Sequence, residues 1–287
     1  MRIRVKNSDT QRFLTICAVC WWNEESYQNS SVHGFHFYLF LPQPNGNFQG
    51  ICGTSFYSRG VEISMRDTVI FDLDGTLLDT LDDLTAAVNY CMQRYGGPIH
   101  TREEVRSKVG NGIYILMEKA LPGGREHPSY TECMQAFPPY YKEHMLDQTV
   151  PYPGILQLLE CLKKDHYKLA IVSNKFDAAV KGLNERFFGE YLSVAIGEME
   201  DRGIRKKPAP DTVFQAMREL HSRPEQCIYV GDSDTDLQTA ANAGIPCICV
   251  TWGFRDAEFL REKGAEIIAD TPRQLYDEIR TFSSGLR

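Results

Sequence analysis

The sequence predicts a doubly wound, Rossmann-like α/β core with a small α-helical cap domain inserted into it, and three observations carry that expectation. From Met65 onward, short apolar runs alternate with amphipathic stretches of helical period, the pattern of a parallel sheet covered on both faces. About 95 residues separate the first apolar run from the second, where a whole βαβ unit needs only about 30. The runs also end in acidic or hydroxyl-bearing residues, at the strand ends where open α/β sheets place their ligands.

Residues 1–64 stand apart from this pattern. They hold 11 aromatic residues, carry a charge of +1 against −8 for the remainder, and show no sustained period of 3.6 or 2.0. They are expected to be an N-terminal extension outside the folded protein, with Met65 as the start of the domain. The α/β core is then expected over residues 65–79 and 151–287. Its strands fall at 69–73, 169–173, 192–196, 227–230 and 246–250, each short and apolar. Helices follow at 154–164, 177–188, 211–220, 234–243 and 272–282. Residues 80–150 form the helical cap, with helices over 81–95 and 113–121 and a capping box at Thr101 and Glu104 opening another. A further stretch, 130–146, contains Pro138 and Pro139, which either kink it or split it.

Four motifs carry the chemistry. Asp72 and Asp74 follow the first strand, and residues two apart on an extended chain point the same way, so both carboxylates face one site; Gly75 then lets the chain turn. Such a pair favours a bound divalent cation or a split of pKa values, either of which suits phosphoryl transfer. A solvated pair at a strand end is the plain alternative. Ser173 and Asn174 end the next strand, a hydroxyl and an amide that can grip a phosphate oxygen or cap the following helix. In Lys207-Pro208-Ala209-Pro210 the proline holds the lysine extended and restricts where its ammonium points, although Arg205 and Lys206 would also make an ordinary basic loop. Gly231-Asp232-Ser233-Asp234-Thr235-Asp236 runs from a strand into an acidic turn. Asp234 and Asp236 can act as helix-capping acids, which leaves Asp232 at the strand tip as a hard oxygen ligand of the kind magnesium takes.

In this order and at these strand ends, Asp72 to Thr76, Ser173, Lys207 and Gly231 to Asp236 resemble the four motifs of the haloacid dehalogenase superfamily, over about 78% of the chain. Val109-Gly110-Asn111-Gly112, Tyr152-Pro153-Gly154 and Thr251-Trp252-Gly253 look like its phosphoglycolate phosphatase subfamily. The resemblance implies that Asp72 is a nucleophile forming an aspartyl-phosphate and that Asp74 is the general acid and then base. It implies Ser173, Asn174 and Lys207 as clamps on the phosphoryl oxygens. It also implies Mg2+ on the carboxylate of Asp72, the backbone carbonyl of Asp74 and Asp232. An acid at position 74 is generally missing from relatives that attack carbon, so dehalogenation is not expected. The Gly110-Asn111-Gly112 turn would bring backbone N–H groups near the leaving group, and the helix after it has a positive end suited to a carboxylate.

The expected activity is therefore a magnesium-dependent phosphomonoester hydrolase acting on a small phosphorylated metabolite, phosphoglycolate foremost. A phosphosugar mutase using the same aspartyl-phosphate, or a phosphatase of pyrophosphate or nucleoside monophosphates, is the alternative. A silent binding protein with a zinc-holding N-terminus is the competitor from another class. Its basis, Cys17, Cys20, His33 and His36, is one residue short of zinc-finger spacing. With a net charge of −7 there is no basic field for nucleic acid or an anionic bilayer. Apolar runs such as 37–41 and 245–250 fall far short of the roughly 20 residues of a membrane helix. The start of the chain is too charged for a secretory signal, so the nine cysteines read as reduced thiols in a cytoplasm, with Cys247 and Cys249 in the core. NTPase, serine-hydrolase and dinucleotide fingerprints are missing, and a monomer or homodimer is expected.

Overall fold

A computed structural model describes residues 66–283 in full. Before them it describes the backbone of two strands, β1 (Tyr38–Pro42) and β2 (Phe48–Cys52), paired antiparallel with Tyr38 opposite Cys52. Cys17, Cys20, His33 and His36, and the rest of the expected extension, lie outside the described residues.

Along the chain, β3 (Thr68–Phe71) leads through β4 (Leu78–Asp79) into α1 (Leu81–Tyr95), α2 (Arg102–Arg106), α3 (Ile113–Ala120) and α4 (Tyr130–His144). The chain returns through β5 (Val150–Pro151) to α5 (Ile155–Lys164), β6 (Lys168–Phe176), α6 (Asp177–Phe187), β7 (Val194–Glu198) and α7 (Asp211–Glu219). It ends with β8 (Cys227–Gly231), α8 (Asp234–Ala243), β9 (Cys247–Val250), α9 (Ala257–Glu262), β10 (Ile268–Ala269) and α10 (Pro272–Ser283). Six of these strands make one parallel sheet in the order β10-β9-β8-β3-β6-β7. The order reverses between β3 and β8, so a crevice opens at their carboxyl ends.

Why these runs are strands is visible in their alternation. Val69, Phe71, Leu169, Ile171, Ile228 and Val230 pack toward α5, α6 and α10, through Leu159, Val180 and Ile279 among others. Ile70, Ala170, Val172, Cys227 and Tyr229 pack on the other face, toward Val213 and Ala216 of α7 and Ala240 of α8. A strand covered on both faces can be apolar at every position, which is why the period-2 signal is hidden in the sequence.

Two expectations are adjusted. The strand expected at 192–196 begins at Val194, because Leu192 ends the turn that follows α6: its N–H donates to the Phe188 carbonyl at 2.9 Å and its side chain is buried. The 130–146 stretch is one helix to His144, with both prolines inside it. The capping box at Thr101 and Glu104 is present.

Helices α1 to α4 enter and leave the core through the β4–β5 pair, with Leu78 opposite Pro151. Asp83, buried at the start of α1, ties the two passages together by accepting from Gln148 N at 3.0 Å, Thr149 N at 2.9 Å and Thr149 Oγ1 at 2.8 Å. Asp83→Ala strands all three donors and is expected to cost about 2–4 kcal/mol. Urea unfolding checks this; a loss under about 0.5 kcal/mol would mean that water replaces the carboxylate.

Candidate active site

Asp72 prolongs β3, its N–H donating to the Val230 carbonyl at 2.8 Å, and so arrives in the crevice beside the end of β8, which delivers Asp232. Asp236 comes from the first turn of α8. Asp72, Asp232 and Asp236 each offer a carboxylate oxygen within 4.8 Å of the others, all buried. Facing them is Lys207, whose Nζ lies 2.7 Å from Asp236 Oδ1, 2.8 Å from Asp72 Oδ1 and 3.1 Å from Tyr229 OH. Three buried carboxylates thus confront one ammonium.

Electrostatics follow from that imbalance. Burial, reinforced by Asp236, pushes the Asp72 carboxyl from 3.8 up to about 7 against the pull of Lys207. Burial and the same neighbour raise Asp232 well above the carboxylate range. Burial works against the Lys207 charge, but Asp236 and Asp72 lift it well above the usual ammonium range.

The three acids differ in what they have left to offer. Asp236 is saturated: Lys207 and Tyr229 donate to Oδ1, and Ser233 N and Oγ and Asp232 N donate to Oδ2. Asp232 accepts from Thr76 Oγ1 at 3.2 Å and Phe254 N at 2.6 Å, one bond per oxygen. Asp72 Oδ1 is buried with no aligned hydrogen bond, Lys207 approaching it off-axis. Hard oxygen donors with spare lone pairs and surplus negative charge fit a divalent cation. Asp236 is the anchor of Lys207, a role its place in the acidic turn did not reveal.

The Asp74 side chain lines the same cavity as Asp72 and Lys207 but is held by other partners. Its Oδ1 accepts from Thr80 Oγ1 at 2.7 Å and from Lys175 Nζ at 2.8 Å, and Oδ2 lies 3.1 Å from the same ammonium. Asp72 and Asp74 line one cavity, with different partners. Ser173 is buried in the cavity wall. The amide of Asn174, expected to grip phosphate, is instead engaged by the backbone: Oδ1 accepts from Lys207 N at 2.8 Å, and Nδ2 donates to the Lys207 carbonyl at 3.1 Å and to the Gly110 carbonyl at 3.3 Å. Gly110 and Gly112 line the cavity, whereas Asn111 Oδ1 accepts from Thr235 Oγ1 at 3.0 Å.

Lys175 and Tyr141 also line the cavity and went unseen in the sequence. Lys175 lies two positions beyond Ser173 on β6, so reading that strand to its full length would have flagged it. No sequence signal marks Tyr141, a helix residue that looks like ordinary core. The cavity lined by Asp72, Asp74, Tyr141, Ser173, Asn174, Lys175 and Lys207 measures about 60 Å³.

Comparison with known proteins places the fold. Residues 69–250 match the haloacid dehalogenase-like hydrolases. The phosphoglycolate phosphatase of Pseudomonas putida is 34% identical over 224 residues, covering 76% of this chain and 78% of that protein. That of Chromobacterium violaceum is 32% identical over 73% of this chain and 94% of its own. A solved structure from Lactobacillus delbrueckii subsp. bulgaricus is 35% identical, with a TM-score of 0.71 over 75% of this chain and 98% of that one. The chain belongs to the haloacid dehalogenase-like hydrolase family. It is a phosphatase of that family.

The raised carboxyls set a pH dependence with a definite sign. Between the ordinary 3.8 and about 7, folded Asp72 binds more proton than unfolded Asp72, so stability declines as pH rises through that window. In excess chelator, the melting temperature is expected to fall from about pH 5 to pH 7.5, and Asp72→Asn should flatten the slope. A melting temperature that rises over this range would contradict the site as described.

Proposed function

We propose that the protein is a magnesium-dependent phosphomonoester hydrolase that works through an aspartyl-phosphate, with phosphoglycolate as its substrate. The observation that carries this reading is the buried set of Asp72, Asp232 and Asp236 around Lys207, in which Asp72 Oδ1 keeps acceptor capacity to spare. In the first step an Asp72 oxygen attacks phosphorus while the bond to the leaving oxygen breaks, and Asp74 gives its proton to that oxygen. In the second, water attacks the acyl phosphate, Asp74 takes the water's proton, and Asp72 is restored. Lys207, fixed by Asp236 and Tyr229, neutralises charge on the transferring oxygens, and the Ser173 hydroxyl is suited to donate to one of them. Asn174 serves this centre by holding the Lys207 backbone.

Magnesium held by the carboxylates of Asp72 and Asp232 and the backbone carbonyl of Asp74 would supply the positive charge that lets an anionic nucleophile meet an anionic phosphoryl group. Residues 80–150 act as the cap over a core of 65–79 and 151–287, excluding water and bulky leaving groups, with 1–64 outside the catalytic unit. The curated relatives named above and the small cavity favour phosphoglycolate. Work in the cytoplasm agrees with Cys91, Cys133, Cys161, Cys227, Cys247 and Cys249 all being free thiols. Among the described residues no helix is long and apolar enough to cross a membrane.

The test is phosphate release from a panel of esters with magnesium. Phosphoglycolate is expected to exceed phosphoserine, sugar phosphates, nucleotides and pyrophosphate in kcat/KM. Asp72→Asn should abolish turnover, and Asp74→Asn should accumulate phosphoenzyme from an ester with a good leaving group. Asp72→Asn activity within about tenfold of the wild type would overturn the mechanism. Nucleoside monophosphates or pyrophosphate better by about tenfold would overturn the substrate, and a sugar phosphate converted without phosphate release would make it a mutase.

A further inference from the structure

One part of the cavity wall is polar in a way that the phosphoryl chemistry does not use. Away from Asp72, Asp74, Ser173, Asn174 and Lys207 the lining is largely apolar, with Leu84, Ile113, Leu116 and Phe137 from the insertion and Phe176 from β6. Two side chains interrupt that surface. Lys175 is held against Asp74, and its Nζ stands 4.6 Å from the centre of the Tyr141 ring. Tyr141, on α4, is 1% exposed, and its buried hydroxyl has no acceptor for its proton, since the Lys175 ammonium beside it can only donate. The ring cannot turn to find one elsewhere, since it stacks on Phe137 at 5.7 Å and meets Phe176 edge-on at 6.1 Å.

A buried phenol normally finds an acceptor. This one lies in a cavity wall beside an ammonium with three N–H donors, of which the Asp74 carboxylate engages at most two. Together they call for an acceptor brought by a ligand, and a carboxylate is the group that accepts from both at once. The remaining wall would leave the several hydroxyls of a sugar or nucleoside without partners.

We propose that Tyr141 and Lys175 form the leaving-group subsite, holding a carboxylate on the leaving group of a small phosphate monoester and so selecting such esters over polyol and nucleoside phosphates. The assignment rests on the phosphatase reading above and makes the two residues determinants of specificity.

The experiment compares phosphoglycolate with ethyl phosphate, which lacks the carboxylate, in the full-length wild type and in Tyr141→Phe, with magnesium. The ratio of the two kcat/KM values is expected to fall about tenfold in the variant, chiefly through KM for phosphoglycolate. A residue that only packs the cavity would lower both substrates alike, and equal losses would overturn the proposal. Inhibition of the wild type by 3-phosphonopropionate and by propylphosphonate gives a readout independent of turnover and of the variant's folding. The carboxylated phosphonate should bind about tenfold more tightly, and equal affinities would overturn the subsite while leaving the phosphatase standing. Wild-type protein that releases phosphate from neither ester would overturn the phosphatase reading and this subsite with it.

Discussion

Three buried carboxylates held against one ammonium are the constraint around which the rest of the structure is arranged. Asp72, Asp232 and Asp236 converge where the sheet order reverses, and Lys207 compensates only part of their charge. Keeping acids that close in a dry crevice requires backbone that carries no side chain of its own. A Cβ on Gly75 would come within 2.4 Å of Asp232, and one on Gly253 within 2.2 Å of the Gly75 carbonyl. The loop through Gly253 can then bring Phe254 N onto Asp232, while Trp252 Nε1 donates to the Thr76 carbonyl at 3.0 Å. The strand tips, the turn after β3 and the loop after β9 thus depend on one another through a single carboxylate.

The same loop reaches the helical insertion. Arg106 donates to the Gly253 carbonyl at 2.9 Å, and Arg255 donates to the carbonyls of Arg106 at 3.2 Å and Val109 at 3.1 Å. Asn174 and Thr235 meet the 110–112 turn from the sheet side. The insertion is seated on the core by backbone carbonyls, which offer acceptors whatever side chains they carry. That seating closes the cavity, and water exclusion makes each charge inside it count for more.

Asp72 and Asp74 show how two identical side chains come to differ. Asp72 lies among like charges, with the Lys207 ammonium 2.8 Å from its Oδ1. Asp74 is gripped by Thr80 and Lys175, a hydroxyl from the residue before α1 and an ammonium from the neighbouring strand. A carboxyl in that position is oriented before any proton moves, as acid–base work requires. Its partner Lys175 leans on Tyr141 of the helical insertion, so Asp74 and the insertion meet through one lysine.

What the sequence by itself determined is what repeats or bonds locally. Runs at β3, β6, β8 and β9, the long insertion, the capping box at Thr101 and the four motifs at strand ends could all be read from neighbours a few residues apart. Five-residue strands β1 and β2 escaped because that region shows no sustained period, although Asn45-Gly46 lies between them in the chain. Leu192 looked like a strand residue because burial in the turn after a helix and burial in a sheet call for the same side chain. Partner choice over long separations belonged to the tertiary structure alone. Asn174 spends its amide on Lys207, 33 residues away, and Lys175 pairs with Asp74 across 101. Asp236 became the anchor of a lysine, and Tyr141 became a cavity wall, for the same reason. Spacing tells which way a side chain leaves its own strand or helix, whereas its partners are set by how separately formed elements pack around a shared, charge-deficient crevice.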